Sequence, residues 1–333
     1  MKKYFSFIVS LSLFFIFCLP TKAFDKVKFI NFSDLHLSIN GENTMKMGKE
    51  SVDIVKSCVD LANKTNDISF VILTGDLLQD AEPWNLDKVK EILDNLNVPY
   101  YVILGNHDIS PVQTDTNKFI FPSISKSTFV WAFQGHGFNG SDSWWSVDPV
   151  QGLHLIGLDT TVTGTWGGNI SKKQLEWLDK DLEKNKDKLC IVLSHHALVP
   201  HTKDDFNRTK NFVVENSNEV RKILEKHKVK IVITGHHHIT DVKTINGITY
   251  FSNPSTTTYP TKYTIYELTN NELKYSTEWV KIDEKIIEQA KINLLKDDWW
   301  RGFFPKNKKG DEDMLKQFLG EEETDRQGII KLN

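Results

Sequence analysis

Asp34, His36, Asp76, Asn106, His195, His236 and His238 are all of types that bind metal ions, and they fall at the ends of five apolar runs. The runs read VKFINFSDLH (27–36), ISFVILTGDLL (68–78), PYYVILGNHD (99–108), LCIVLSHH (189–196) and VKIVITGHHH (229–238). Carboxylate, amide oxygen and imidazole nitrogen without thiolate suit Mn, Fe, Zn or Ni rather than a structural zinc finger. One Asp or His at a strand end is usually a cap or a satisfied polar group. Five ends carrying the set together point to a metal centre.

The spacing suggests how the set divides. One residue separates Asp34 from His36, so in an extended strand both side chains project to the same side and share one cation. The gap between His236 and His238 repeats that pattern. Asp76 follows Gly75, where the backbone can turn sharply, and its carboxylate is placed to bridge two metals. Two cations about 3.5–4 Å apart would acidify a water and clamp the oxygens of a phosphorus centre. The leaving oxygen then needs a proton, and His107, beside Asn106 but free of metal, is the expected general acid. Asp108 is the expected partner of one His107 ring nitrogen, fixing its tautomer. His196 and His237 each neighbour a ligand and are candidate substrate contacts, as is His201 in the loop after His195. His136, His154 and His227 read as ordinary surface or loop residues.

Side chains at these positions require elements that end at one edge. Short β-branched runs suit buried parallel strands, and ligands of such sheets gather at the carboxyl ends. Between the first three runs, 51–63 and 84–96 have helical spacing, which completes a βαβαβ unit. After 109–148, read as long loops with one or two short strands, come a strand at 152–160 and an amphipathic helix around Gln174–Leu182. Beyond His238 two hairpins follow, one turning at Asn246-Gly247 and one at Asn270-Asn271. The expected fold is α/β: a four-layer α/β/β/α sandwich of two mixed sheets flanked by helices.

The chain has 333 residues, 39% of them apolar, and a net charge of −3, so it can bury a large core and nothing in its charge suggests a nucleic-acid polymer as partner. Residues 1–23 have the layout of a signal peptide: Lys2 and Lys3, an apolar segment from Tyr4 to Leu19, then a small-residue site ending at Ala23. The expectation is export to the periplasm or beyond, with an uncleaved membrane anchor as the alternative. Residues 24–283 read as one domain and 284–333 as a helical tail packed on or near it. The tail carries Trp299, Trp300, Phe303 and Phe304, read either as aromatic burial or as a lid, a dimer contact or a membrane contact. The aromatic stretch 129–145 raises the same question, as a roof over the site. Cys58 and Cys190 read as inert core thiols.

Together Asp34-x-His36, Gly75-Asp76, Gly105-Asn106-His107-Asp108, His195 and Gly235-His236-x-His238 resemble the calcineurin-like metallophosphoesterase superfamily over roughly residues 27–255. Within it the spacing is most similar to the class III cyclic-nucleotide phosphodiesterase and glycerophosphodiesterase group. The resemblance implies a dinuclear centre that hydrolyses phosphate esters through a metal-bridged hydroxide. One metal would take Asp34, His36, Asp76 and His238, the other Asp76, Asn106, His195 and His236, with His107 as the acid. The expected substrate is a small phosphate ester, most readily a diester. A phosphomonoesterase or nucleotide pyrophosphatase with the same centre is the alternative, and a non-enzymatic metal-dependent binding protein a third.

Overall fold

The computed structural model describes residues 24–109, 123–206 and 210–332. The leader expected at 1–23 lies outside these described residues. The chain begins with β1 (Val27–Phe32), α1 (Ser51–Lys64), β2 (Ile68–Leu73), α2 (Pro83–Leu93) and β3 (Tyr100–Val102). Next come α3 (Lys126–Ala132), β4 (Trp145–Val150), β5 (Leu153–Gly157), α4 (Lys172–Lys184), β6 (Leu189–Ser194), α5 (Ser217–Lys226) and β7 (Ile231–Thr234). Hairpins β8 (Asp241–Ile245) with β9 (Ile248–Ser252), and β10 (Lys262–Leu268) with β11 (Glu272–Trp279), follow. The chain then runs through α6 (Glu284–Lys296), α7 (Asp298–Arg301), α8 (Lys308–Leu319), α9 (Glu323–Arg326) and β12 (Gln327–Lys331).

These strands form two six-stranded mixed sheets, ordered β12-β11-β10-β1-β2-β3 and β4-β5-β6-β7-β9-β8. Strands β1 to β3 are parallel in the first, and β5, β6, β7 and β9 in the second. Period-two alternation divides the apolar side chains of the second sheet between two cores. Leu155, Ile191, Leu193, Ile231 and Ile233 face the core shared with the first sheet. Ile156, Val192 and Val232 face Leu178 of α4 and Leu224 of α5. The layers are therefore helix, sheet, sheet, helix, as expected. Asn246 and Gly247 both have positive φ, which matches the right-handed twist of β8 and β9.

The tail departs from an all-helical reading. Its last described residues form β12, antiparallel to β11 at the sheet edge, because Gln327–Lys331 can continue the open ladder there. Ala290, Leu294, Trp300, Met314 and Phe318 are buried in the main core. The stretch 129–145 also departs from expectation. Phe129, Phe133 and Phe138 are core residues, and Trp145 Nε1 donates to the Val102 carbonyl at 2.9 Å, so it closes a sheet edge rather than roofing the site. Cys58 and Cys190 are free and buried, and burial pushes both thiols up. No helix among the described residues is long and apolar enough to cross a membrane.

His154 is no loop residue: it is buried on β5, on the face covered by α4. Its Nδ1 lies 2.7 Å from Asp148 and its Nε2 2.7 Å from Asp181. Burial lowers its pKa, but the two carboxylates outweigh that and raise it above 6.5. A raised folded-state value stabilises fully below the unfolded value, about 6.5, and that contribution is lost as pH rises through the folded one. His154→Gln should therefore cost about 1–3 kcal/mol at pH 5.5 and less at pH 8.5. Equal losses in thermal stability at the two pH values would contradict the assignment.

Candidate metal centre

All five strands stop before their candidate ligands: β1 at Phe32, β2 at Leu73, β3 at Val102, β6 at Ser194 and β7 at Thr234. The ligands sit on the turns that follow, at the carboxyl ends of parallel strands from both sheets. Asp34, His36, Asp76, His236 and His238 have φ values of 52°, 39°, 53°, 68° and 58°. The same-side argument for extended residues therefore does not apply to 34/36 or 236/238; left-handed turns aim these side chains instead. Each such residue costs about 1–2 kcal/mol in backbone energy, strain of the kind that clusters at functional sites. Close packing of the turns explains the glycines beside them. A Cβ at Gly75 (φ 90°) would meet His195 Nδ1 at 2.6 Å.

The turns bring the seven expected ligands together, all buried. Asp34, His36, Asp76 and His238 each offer an atom within 4.8 Å of the others, as do Asp76, His195 and His236. Asp76 belongs to both groups. His36 Nε2 is 3.1 Å from His238 Nε2 and 3.6 Å from an Asp76 oxygen. Asn106 joins through Oδ1, 3.0 Å from His195 Nε2. Asp34 accepts from the His236 backbone N–H and from the Ser33 hydroxyl, which fixes its carboxylate.

The donor chemistry fits cations. His195 Nδ1 faces the Thr74 carbonyl at 2.8 Å, which can only accept, so Nδ1 carries the proton there. In the neutral ring Nε2 then turns its lone pair toward Asn106 Oδ1 and toward Asp76 Oδ1 at 3.4 Å. Three lone pairs converging without a hydrogen call for a positive charge. In the metal-free protein a proton supplies it: burial disfavours the imidazolium, but Asp76 and then Asp34 lift His195 to about 9. Burial, with Lys46 beside His36 and His196 beside His236, holds those two rings neutral and ready to ligate. Buried His36 Nδ1, His238 Nδ1 and His236 Nε2 have no hydrogen-bond partner among the described residues.

His107 lies outside both ligand groups and lines a cavity of about 470 Å³ that opens over Asp76, His236 and His238. The carboxylate facing its Nδ1 is Asp80 at 3.4 Å, not Asp108. Residues 106–108 form one 3-10 turn, whose successive side chains diverge by about 120°. Asn106 points to His195, His107 into the cavity, and Asp108 back into the turn. There Asp108 accepts from the backbone N–H of Leu78 (2.9 Å) and Gly105 (2.8 Å), tying the Asp76 turn to the Asn106 turn. Burial and the Asp76 charge push its carboxyl up to about 8.

The three candidate substrate histidines do not line this cavity. His196 accepts from Thr160 Oγ1 (2.7 Å) and donates to the Trp166 carbonyl (3.0 Å); burial and His195 push it down to about 3, so it is a neutral brace. His237 faces Asp205 at 3.0 Å and His201 faces Asp241 at 2.6 Å, both away from the metal ligands. The walls come from residues absent from the expected set: Met45, Lys46, Trp166, Phe212, Trp299 and Trp300. Trp166 stands edge-on to His107 at 5.5 Å, and Trp299 stacks on Phe212 at 5.8 Å. Only the Trp299-Trp300 pair carried a signal in the sequence, as an aromatic cluster without an assigned place.

Comparison with known proteins finds relatives named as phosphodiesterases. A probable cyclic nucleotide phosphodiesterase of Psychrobacter arcticus is 25% identical over 187 residues, 56% of this chain and 62% of its own length. The 3',5'-cyclic adenosine monophosphate phosphodiesterase CpdA of Haemophilus influenzae is 24% identical over 235 residues, 69% of this chain and 76% of that protein. A probable glycerophosphodiester phosphodiesterase GpdQ of Arcobacter nitrofigilis is 29% identical over 174 residues, 51% of this chain and 57% of that protein. The chain thus spans less than two thirds of two of these relatives. Among solved structures PhoD shares the fold, with a TM-score of 0.52 at 10% identity, covering 78% of this chain and 66% of that one. The family model for calcineurin-like phosphoesterases matches residues 27–240, the stretch that holds every candidate ligand, and the chain belongs to that family of phosphoesterases.

Proposed function

We propose that the protein is an exported phosphodiesterase with a dinuclear metal centre. The observation that carries the dinuclear reading is Asp76, the one carboxylate common to two groups of converging, buried donors. Asp34, His36 and His238 would complete one site, and Asn106, His195 and His236 the other. Two bound cations of the Mn, Fe, Zn or Ni type would acidify a water for attack on phosphorus. The chain's own residues supply the rest. His107 is placed to give a proton to the departing oxygen, with Asp80 facing its other nitrogen.

Two features of the cavity favour diesters. Lys46 is the one Lys or Arg among its described lining residues, and Asp297 adds a carboxylate. That balance suits a monoanion better than the dianion of a monoester. Trp166, Phe212, Trp299 and Trp300 present apolar surface to the second ester group. With Mn-loaded protein, kcat/KM for bis-nitrophenyl phosphate should exceed that for nitrophenyl phosphate at least about ten-fold, a 1.4 kcal/mol difference. A monoester preference would overturn the diester reading. Trp299→Ala should raise KM for the aryl diester about 3–10-fold by removing one aromatic contact. An unchanged KM would take Trp299 out of the binding wall.

Export rests on the sequence of residues 1–23. Fractionation of expressing cells tests it: a mature protein lacking the leader, outside the cytoplasm, supports export, and a full-length cytoplasmic protein overturns it. Trp299 and Trp300 line the cavity, which favours substrate contact over a membrane anchor.

A further inference from the structure

Lys46 belongs to none of the five strand-end motifs, yet its side chain stands at the reacting end of the cavity. Its Nζ lies 3.4 Å from His107 Nε2, the nitrogen that faces the cavity. It lines that cavity with Asp76, His236 and His238. A leaving oxygen accepting a proton from His107 sits within about 3 Å of that nitrogen. The phosphoryl group bonded to it is then within contact range of Nζ. Resting on the phosphodiesterase reading above, we propose that Lys46 binds a non-bridging phosphoryl oxygen and positions the phosphorus between the metal ligands and His107.

The loop that carries Lys46 is braced for such a role. The Lys46 carbonyl accepts from the backbone N–H of Thr44 and Gly48, both at 3.0 Å, closing a tight turn. Met47 N–H donates to the Thr257 carbonyl at 2.8 Å, and the Met47 side chain is fully buried. The tail clamps both flanking residues: Trp300 Nε1 donates to Met45 Sδ at 3.2 Å, and Asn293 Nδ2 to Met47 Sδ at 3.5 Å. Helices α6 and α7 thus hold the lysine over the metal ligands, which gives the aromatic cluster a task at the site. Nζ makes no hydrogen bond or ion pair with a candidate metal ligand among those described, and its positive charge beside His36 opposes a cation rather than holding one, so removing it should not lower metal content. An ammonium is a compact point charge suited to one oxygen of a phosphate.

The test uses the Mn-loaded full mature protein, Lys46→Met and Lys46→Arg. Two aryl methyl phosphodiesters serve as substrates, one releasing nitrophenolate and one phenolate. Lys46→Met should lose about 10–100-fold in kcat/KM, the equivalent of 1.4–2.7 kcal/mol. The loss should be the same for both leaving groups, with metal content unchanged and part of the rate restored in Lys46→Arg. Inorganic phosphate, titrated by calorimetry, should bind Lys46→Met about ten-fold more weakly. Rates and phosphate affinity within two-fold of the wild type would overturn the proposal. So would a loss confined to the phenolate ester, which would make Lys46 a proton donor, or a fall in metal content. A wild type inactive on every phosphate ester would sink the phosphodiesterase reading alone, and Lys46-dependent phosphate binding would then still support the anion contact.

Discussion

Asp76→Asn is expected to reduce kcat/KM by at least about a thousand-fold, roughly 4 kcal/mol of lost transition-state stabilisation. The side chain keeps its shape and loses the charge that both donor groups share. Its Oδ1 also accepts the His107 backbone N–H at 2.8 Å, so the same carboxylate helps position the proposed acid. In the metal-free protein burial works against the Asp76 anion, and His195 and His107 together hold its pKa well below the ordinary carboxylate range. Removing the charge leaves the neighbouring imidazoles without their counter-ion, and metal content should fall along with the rate. Near wild-type turnover in Asp76→Asn would end the bridging assignment.

The second large effect is expected at His107. His107→Gln should lower kcat/KM about 100- to 10,000-fold for a diester with an alkoxide leaving group. For nitrophenolate, which departs without a proton, the loss should be much smaller. Metal content should not change, because His107 lies outside both ligand groups. Steady-state rates on a paired series of diesters check this, and an equal loss across the series would argue against proton donation. Asp80→Asn should reproduce a weaker form of the same leaving-group dependence, since its carboxylate faces Nδ1 of that ring at 3.4 Å.

The candidate ligands were legible as a group because each stands at the end of an apolar run, a pattern set by the burial of parallel strands. Their aiming was not. Alternation in extended chain predicts the side of Asp34 and His36, whereas both lie past β1 in left-handed backbone that a side-chain period cannot report. Asp108 was misread for a related reason. Adjacency in sequence placed it beside His107, but a 3-10 turn sends neighbours in different directions, and Asp80 arrives from another loop. His196, His237 and His201 were grouped with the site by sequence distance, yet none of them lines the cavity: they turn to the Trp166 carbonyl, Asp205 and Asp241. Lys46 and Trp166 carried no signal at all. Their place depends on loops closed by tertiary contacts, Trp300 on Met45 in one case and His196 on the Trp166 carbonyl in the other. The edge strand β12 escaped notice because its pattern is short and half exposed.

The claim at the centre of this account is that one carboxylate joins two metals. Manganese bound per chain, measured by elemental analysis together with the electron paramagnetic resonance spectrum, tests it most directly. The account predicts two equivalents and an exchange-coupled signal for the wild type, with Asp76→Asn losing the coupling and at least one ion. A single equivalent, or two ions without magnetic coupling, would contradict it.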